Sequence, residues 1–220
     1  ALTPRVVPDF RAVLAMPEAP CVIAVDIPIG LARVAVSGGR ACETLARKLL
    51  PGRASSVFSA PSRAALAAFC AGRSYAAVSA ANRGDGPGAP GLSKQTFNIL
   101  PKIAEVDALL TPEIQRVVRE VHPELSFAAA NRGAPMKHPK KTPAGRAERV
   151  RLLRKLGFPI DPRAPLALLG APRPRGVQTD DLLDACIASW TAERIALGTA
   201  EVLPPMPPLD PRGLRMELWR

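Results

Sequence analysis

The sequence predicts an α/β domain whose helices flank a mixed central sheet in three layers, and three observations carry that expectation. The run Cys21 to Ile27, CVIAVDI, is continuous and rich in β-branched residues, as in a strand covered on both faces. Helical patterns lie before and after it, so strands alternate with helices, and packing helices against a sheet buries both. The stretch TDDLLDACIASWTAERIALG is the clearest helix of the chain. Thr179 can cap it, Asp180 and Asp181 suit its positive N-terminal dipole, and Gly198 can end it.

The elements follow in order. Asp9 to Leu14 has a short helical pattern, and Pro17 and Pro20 break the chain ahead of the first strand. That strand ends in one carboxylate, Asp26, and Pro28 and Gly30 then turn the backbone sharply. Ala41 to Leu50 reads as a helix with Leu45 and Leu49 inward and Arg47 and Lys48 outward. SSVFSAP reads as a short strand running into a turn, and Ser62 to Ala71 as a helix. Tyr75 to Leu110 stays helical but is cut at 82–91, where the Gly and Pro density marks a loop. No G-K-[ST] follows those glycines, so a phosphate-loop reading is set aside.

Thr111, Pro112 and Glu113 have the form of a helix start. VVREVHPELSF reads as a second buried strand that also ends in a carboxylate. Residues 131–145 are polar, basic and broken by Pro and Gly, hence a loop, and Arg146 to Leu156 is a basic amphipathic helix. The terminal GLRMELWR reads as a strand. The whole, 1–220, is expected to form a single domain with a largely helical segment at about 61–115.

Composition narrows the function. The 220 residues carry a formal charge of +11 with Arg in excess of Lys, and the densest basic region runs from Lys137 through Lys155. That makes nucleic acid the expected partner, with a genome-driven basic surface as the bland alternative. No window nears the roughly 18 apolar residues of a membrane helix, and no signal pattern opens the chain, so a cytoplasmic location and no membrane partner are expected. Cys21, Cys42, Cys70 and Cys186 are too far apart for a zinc motif and read as reduced, mostly buried thiols.

The acids fall where structure changes type: Asp26 after the first strand, Glu120 and Glu124 around HPE, and Asp180, Asp181 and Asp184 at the start of the long helix. Strand carboxyl ends and helix N-termini commonly line one crevice in α/β sheets. Asp184 lies one turn from both Asp180 and Asp181, about 6 Å away. Their repulsion ends if a divalent cation sits between them, and Mg²⁺ favours a few carboxylates plus water. Two such ions about 4 Å apart can activate a water for phosphodiester cleavage. Against this, Asp180 and Asp181 suit the helix dipole alone, Glu120 can pair with an arginine, and Pro123 can fix His122 as a turn residue. Ser55, Ser56 and Ser59 lack a nucleophile elbow.

The motifs DIPIGL, ARKLLPGRASSVFSAPSRAAL, GLSKQTFNILPKIAEVD, EVHPELSF, GRAERVRLLRKLG, DDLLDACIASW and GLRMELWR, in this order, resemble a prokaryotic family called domain of unknown function 429. That family is described as predicted nucleases with an RNase H-like fold. The resemblance implies a three-layer RNase H-like fold with a helical insertion. The family's G-x-D-G first strand has no counterpart after Ala1, so the expected sheet lacks the usual N-terminal strand hairpin. It makes Asp26, Glu124, Asp181 and Asp184 the catalytic acids and the ligands of Mg²⁺ or Mn²⁺. The function implied is a divalent-metal-dependent phosphodiesterase acting on nucleic acid, with Lys140, Lys141, Arg146 and Arg149 on the phosphates. The alternative is a non-catalytic nucleic-acid- or protein-binding module of that fold. A sheet with an open edge can also pair with a second copy, which makes a homodimer a further expectation.

Overall fold

The computed structural model describes residues 4–84, 90–170 and 176–220. The chain is mixed α/β with a small sheet. Its first strand, β1 (Ile23–Val25), pairs in parallel with β2 (Val118–Glu120), in the register Ile23 to Val118, Ala24 to Arg119 and Val25 to Glu120. A second pair, β3 (Val202–Leu203) and β4 (Leu218–Trp219), is antiparallel, and a parallel bridge from Val121 to Trp219 joins it to β2. The strand directions are therefore mixed.

Helices bury the sheet from several sides. Ile23 and Val25 pack into a cluster with Phe10 of α1 (Phe10–Leu14) and Val106 of α5 (Lys94–Leu109). Ala24, of opposite phase on the strand, is small, and α8 (Thr179–Ala196) packs against β1. α2 (Ala41–Leu49) covers β3 and β4. α3 (Arg63–Cys70) and α4 (Tyr75–Arg83) join α5 around Leu66, Val78 and Leu100, and these three helices lie within the segment expected to be largely helical. A further cluster binds α6 (Pro123–Ala130), α7 (Pro143–Lys155) and α8 through Phe127, Leu153, Leu183 and Ile187. Deleting a side chain from it, as in Leu183→Ala, removes packing that is typically worth about 2–5 kcal/mol.

Several expectations are corrected. SSVFSAP forms no strand: Ala54–Ser56 is a 3₁₀ turn, closed by the Ser56 hydroxyl donating to the Arg53 carbonyl. The strand expected through VVREVHPELSF stops at Glu120, because Pro123 suits the first turn of a helix and starts α6. The Thr111–Glu113 signal opens only a 3₁₀ turn, Ile114–Arg116. α7 begins at Pro143 rather than Arg146, since the Thr142 hydroxyl accepts from the Gly145 amide and caps it. The terminal strand shrinks to Leu218–Trp219, and Cys21 and Cys70 are exposed rather than buried. Much of the loop expected at 82–91 lies outside the described residues.

Candidate functional site

The parallel register places the carboxyl ends of β1 and β2 side by side, and the residues that follow them share one edge of the sheet. Asp26 follows β1, while His122 and Glu124 follow β2. The turn that frees Asp26 depends on Gly30, which has φ +72°; a Cβ there would sit 2.9 Å from the Arg215 carbonyl oxygen. Deeper under this edge, Glu120 takes Arg40 on both carboxylate oxygens and accepts from the Ile29 amide, and Arg40 Nε donates to Glu43. Of the two readings of Glu120, its contacts are those of the arginine partner. Burial of so many charges is offset by their mutual hydrogen bonds.

Against this edge α8 brings Asp184. Lys140 Nζ donates to Asp184 Oδ2 at 2.8 Å, while the buried Asp184 Oδ1 has no hydrogen-bond partner. Asp26 keeps exposed surface, yet its carboxyl is crowded by protein, and loss of hydration is the largest cause holding its pKa well above the usual range. Asp184 raises it further, Lys140 opposes, and Glu120 adds a smaller repulsion. Asp184 is also raised, first by burial, against the bond and charge of Lys140, with Glu124 adding repulsion and Arg149 relieving it. Burial works against the charge on Lys140, but its bond to Asp184 and the charges of Asp184, Asp26 and Asp180 raise its pKa overall. Asp26, Asp184 and Lys140 thus form one coupled group drawn from opposite ends of the chain.

Glu124 stands beside it. Its Oε1 accepts from Arg149 Nη2 at 2.5 Å, and its buried Oε2 has no partner. His122 Nε2 lies 3.1 Å from the Ser56 carbonyl oxygen. A carbonyl only accepts, so that nitrogen carries the hydrogen and Nδ1 is left as a bare acceptor, buried and without a partner. Burial lowers the His122 pKa and keeps the ring neutral, against the Ser56 hydrogen bond and the charge of Glu124. A cavity of about 20 Å³ lies between Asp26, Arg40, Glu43, Glu120 and His122, room for one water.

A family model described as "Protein of unknown function (DUF429)" matches residues 1–209. The chain belongs to the DUF429 family. No curated protein and no solved structure matches it.

Asp181 of this DUF429 chain does not join the coupled group. Its Oδ2 accepts from the Gln178 amide at 2.8 Å in a capping box at the start of α8, and its side chain lines an apolar cavity with Val6, Val7 and Leu182. Asp180, one turn before Asp184, is the acid of the first turn whose charge reaches Lys140. The sequence grouped Asp180 with Asp181 and Asp184, and the family resemblance put Asp181 rather than Asp180 among the site residues; spacing alone does not separate the two. The reading of His122 as a turn residue missed the bare Nδ1, which depends on the distant Ser56 carbonyl. Among the described residues no group of three or more His, Cys, Asp or Glu side chains is arranged to hold a metal ion. The residues available to a divalent cation are Asp26 and Asp184, with Glu124 Oε2 nearby in charge. That donor set fits Mg²⁺, which commonly takes one or two carboxylates and completes its shell with water and substrate phosphate.

The four basic residues expected on phosphates are divided by the structure. Lys141 and Arg146 are exposed. Lys140 is half-committed to Asp184. Arg149 is buried, bonded to Glu124 and to the carbonyls of His138 and Gly145, so it has no free face for a phosphate and serves as an internal staple of α7. Glu148 completes that staple by accepting from the amides of Lys137 and His138. Gly145 lets the loop lie close, since a Cβ there would fall 2.0 Å from the Pro139 carbonyl oxygen. These contacts aim Lys140 at Asp184. No helix among the described residues is long and apolar enough to cross a membrane.

Proposed function

We propose that the chain is a divalent-metal-dependent phosphodiesterase acting on nucleic acid, of RNase H-like architecture, with its chemistry at the Asp26–Asp184 crevice. One observation carries the reading. Two carboxylates from distant parts of the sequence, one just after β1 and one on the helix α8 that packs against β1, act on one another's charge: Asp184 raises the pKa of Asp26, and Asp184 Oδ1 is left without a partner. Packing alone gives no reason for such an arrangement, and strongly perturbed acids in a cleft are typical of functional sites.

On this reading Asp26 and Asp184 hold Mg²⁺ or Mn²⁺, which supplies Lewis-acid stabilisation of charge on the phosphoryl group. Glu124 turns its unpartnered Oε2 toward the same charge system while Arg149 fixes its orientation. His122 Nδ1 accepts a hydrogen bond from a water in the small cavity beside Asp26 and so orients it. Lys140 is the internal cation that balances Asp184 and offers a donor to an arriving phosphate, with Lys141 and Arg146 at the approach. Asp181 is kept as a helix cap in this account. The partners are nucleic acid and, across the edge of β1 away from β2, a second copy of the chain; the location is cytoplasmic.

The second reading, a non-catalytic binding module, is favoured by the lack of a three-ligand group among the described residues. Cleavage of a labelled oligonucleotide separates the two. The enzyme reading requires cleavage in Mg²⁺ or Mn²⁺ that stops in EDTA and in Asp26→Asn. Cleavage that persists in either, or none in the wild type with both metals, overturns it.

A further inference from the structure

Away from the carboxylate crevice, the outer face of α7 and the turn after it enclose a groove of about 930 Å³. Arg146, Arg151, Arg154, Lys155 and Arg163 line it, all five exposed, and no Asp or Glu is among the lining residues. None of the five is ion-paired among the described residues. A concavity lined by cations with no acid among them focuses positive potential and concentrates anions there. Phe158 also lines the groove while packing against the α6–α8 core, so its ring is fixed in place.

We propose that this groove binds single-stranded nucleic acid, with the cations on the phosphates and Phe158 as a platform for a base. From Arg146 to Lys155 the cations extend about 13.5 Å along α7, enough to follow several phosphates of one strand. Aromatic stacking beside a basic track is the usual mode of sequence-tolerant single-strand binding. An aromatic ring beside the cations suits the unstacked bases of a single strand, which a duplex does not offer. Thr179, the first residue of α8, lines the groove, and Asp184 lies about 7.5 Å further along that helix. A role for the groove as a substrate track rests on the phosphodiesterase reading, whereas binding in it does not.

Fluorescence anisotropy in EDTA, with short labelled oligonucleotides of mixed sequence, tests the groove without cleavage. The expected result is single-strand binding whose log–log salt slope nears −3.5, about −0.7 for each of five phosphates neutralised. Arg151→Glu/Arg154→Glu should weaken binding at least tenfold and flatten the slope. Lys48→Glu, an exposed reversal on α2, should change it little, which separates the groove from net charge. No single-strand binding, equal or tighter binding of duplex or polyglutamate, or an equal loss in Lys48→Glu overturns the proposal. On restoring Mg²⁺, tight binding without cleavage upholds the groove and removes the enzyme reading. Undiminished cleavage by Arg151→Glu/Arg154→Glu upholds the enzyme reading and overturns the groove's role as a substrate track.

Discussion

Asp26 costs the folded chain stability whenever it is ionised. Its pKa is raised in the fold, first by lost hydration and then by Asp184, so between the ordinary carboxylate range and the raised value the native state binds more protons than the unfolded chain. Stability from this residue therefore falls as pH rises through that window and is unaffected below it. Asp26→Asn should accordingly melt higher than the wild type at neutral pH in EDTA, with the gap closing toward acid pH; a lower melting temperature at neutral pH contradicts this. Arg149 is the opposite case. Its removal in Arg149→Met leaves Glu124 buried without its partner, a loss of about 3–5 kcal/mol by urea denaturation, while exposed Arg146→Ala should stay within about 0.5 kcal/mol. Sequence alone could single out Asp26 and Asp184 by their positions at element boundaries. It could not tell buried Arg149 from exposed Arg146, because both sit in one basic run and differ only in which face of α7 meets Glu124.

The start of α8 separates two roles that look alike in the sequence. As a cap, Asp181 stabilises the first turn, so Asp181→Ala should lower stability by about 1 kcal/mol and leave any Mg²⁺-induced rise in melting temperature intact. Loss of that rise in Asp181→Ala makes Asp181 a ligand and contradicts the assignment. At the start of α7, Gly145→Ala drives a methyl into the Pro139 carbonyl and should shift the loop that carries Lys140. The measurable consequence is a chemical-shift change at Asp184 and Lys140 larger than that from Ala144→Gly next door. Helices such as α8 and α2 were legible because caps and 3.6-residue periodicity extend over many residues. Strands of two or three residues give no alternation to read, so β3 escaped notice and SSVFSAP, with similar composition, was mistaken for one.

For the whole molecule, the net charge of +11 includes a run of five exposed cations, unpaired among the described residues, along α7 and the turn after it. The acids of the crevice are drawn together by the parallel register of β1 and β2 and by the packing of α8 on β1, long-range facts that no local pattern encodes. The α/β class, by contrast, followed from local signals alone. A cation held by Asp26 and Asp184 requires both to be ionised, and both are raised, so the Mg²⁺-induced gain in melting temperature should grow as pH rises from the ordinary carboxylate range upward. A gain that shrinks as pH rises argues against these ligands. The most direct measurement of the central claim is an anomalous difference map from crystals soaked in Mn²⁺. The account predicts a peak in contact with the carboxylates of both Asp26 and Asp184. A peak at Asp181 instead, or none at saturating Mn²⁺, contradicts it.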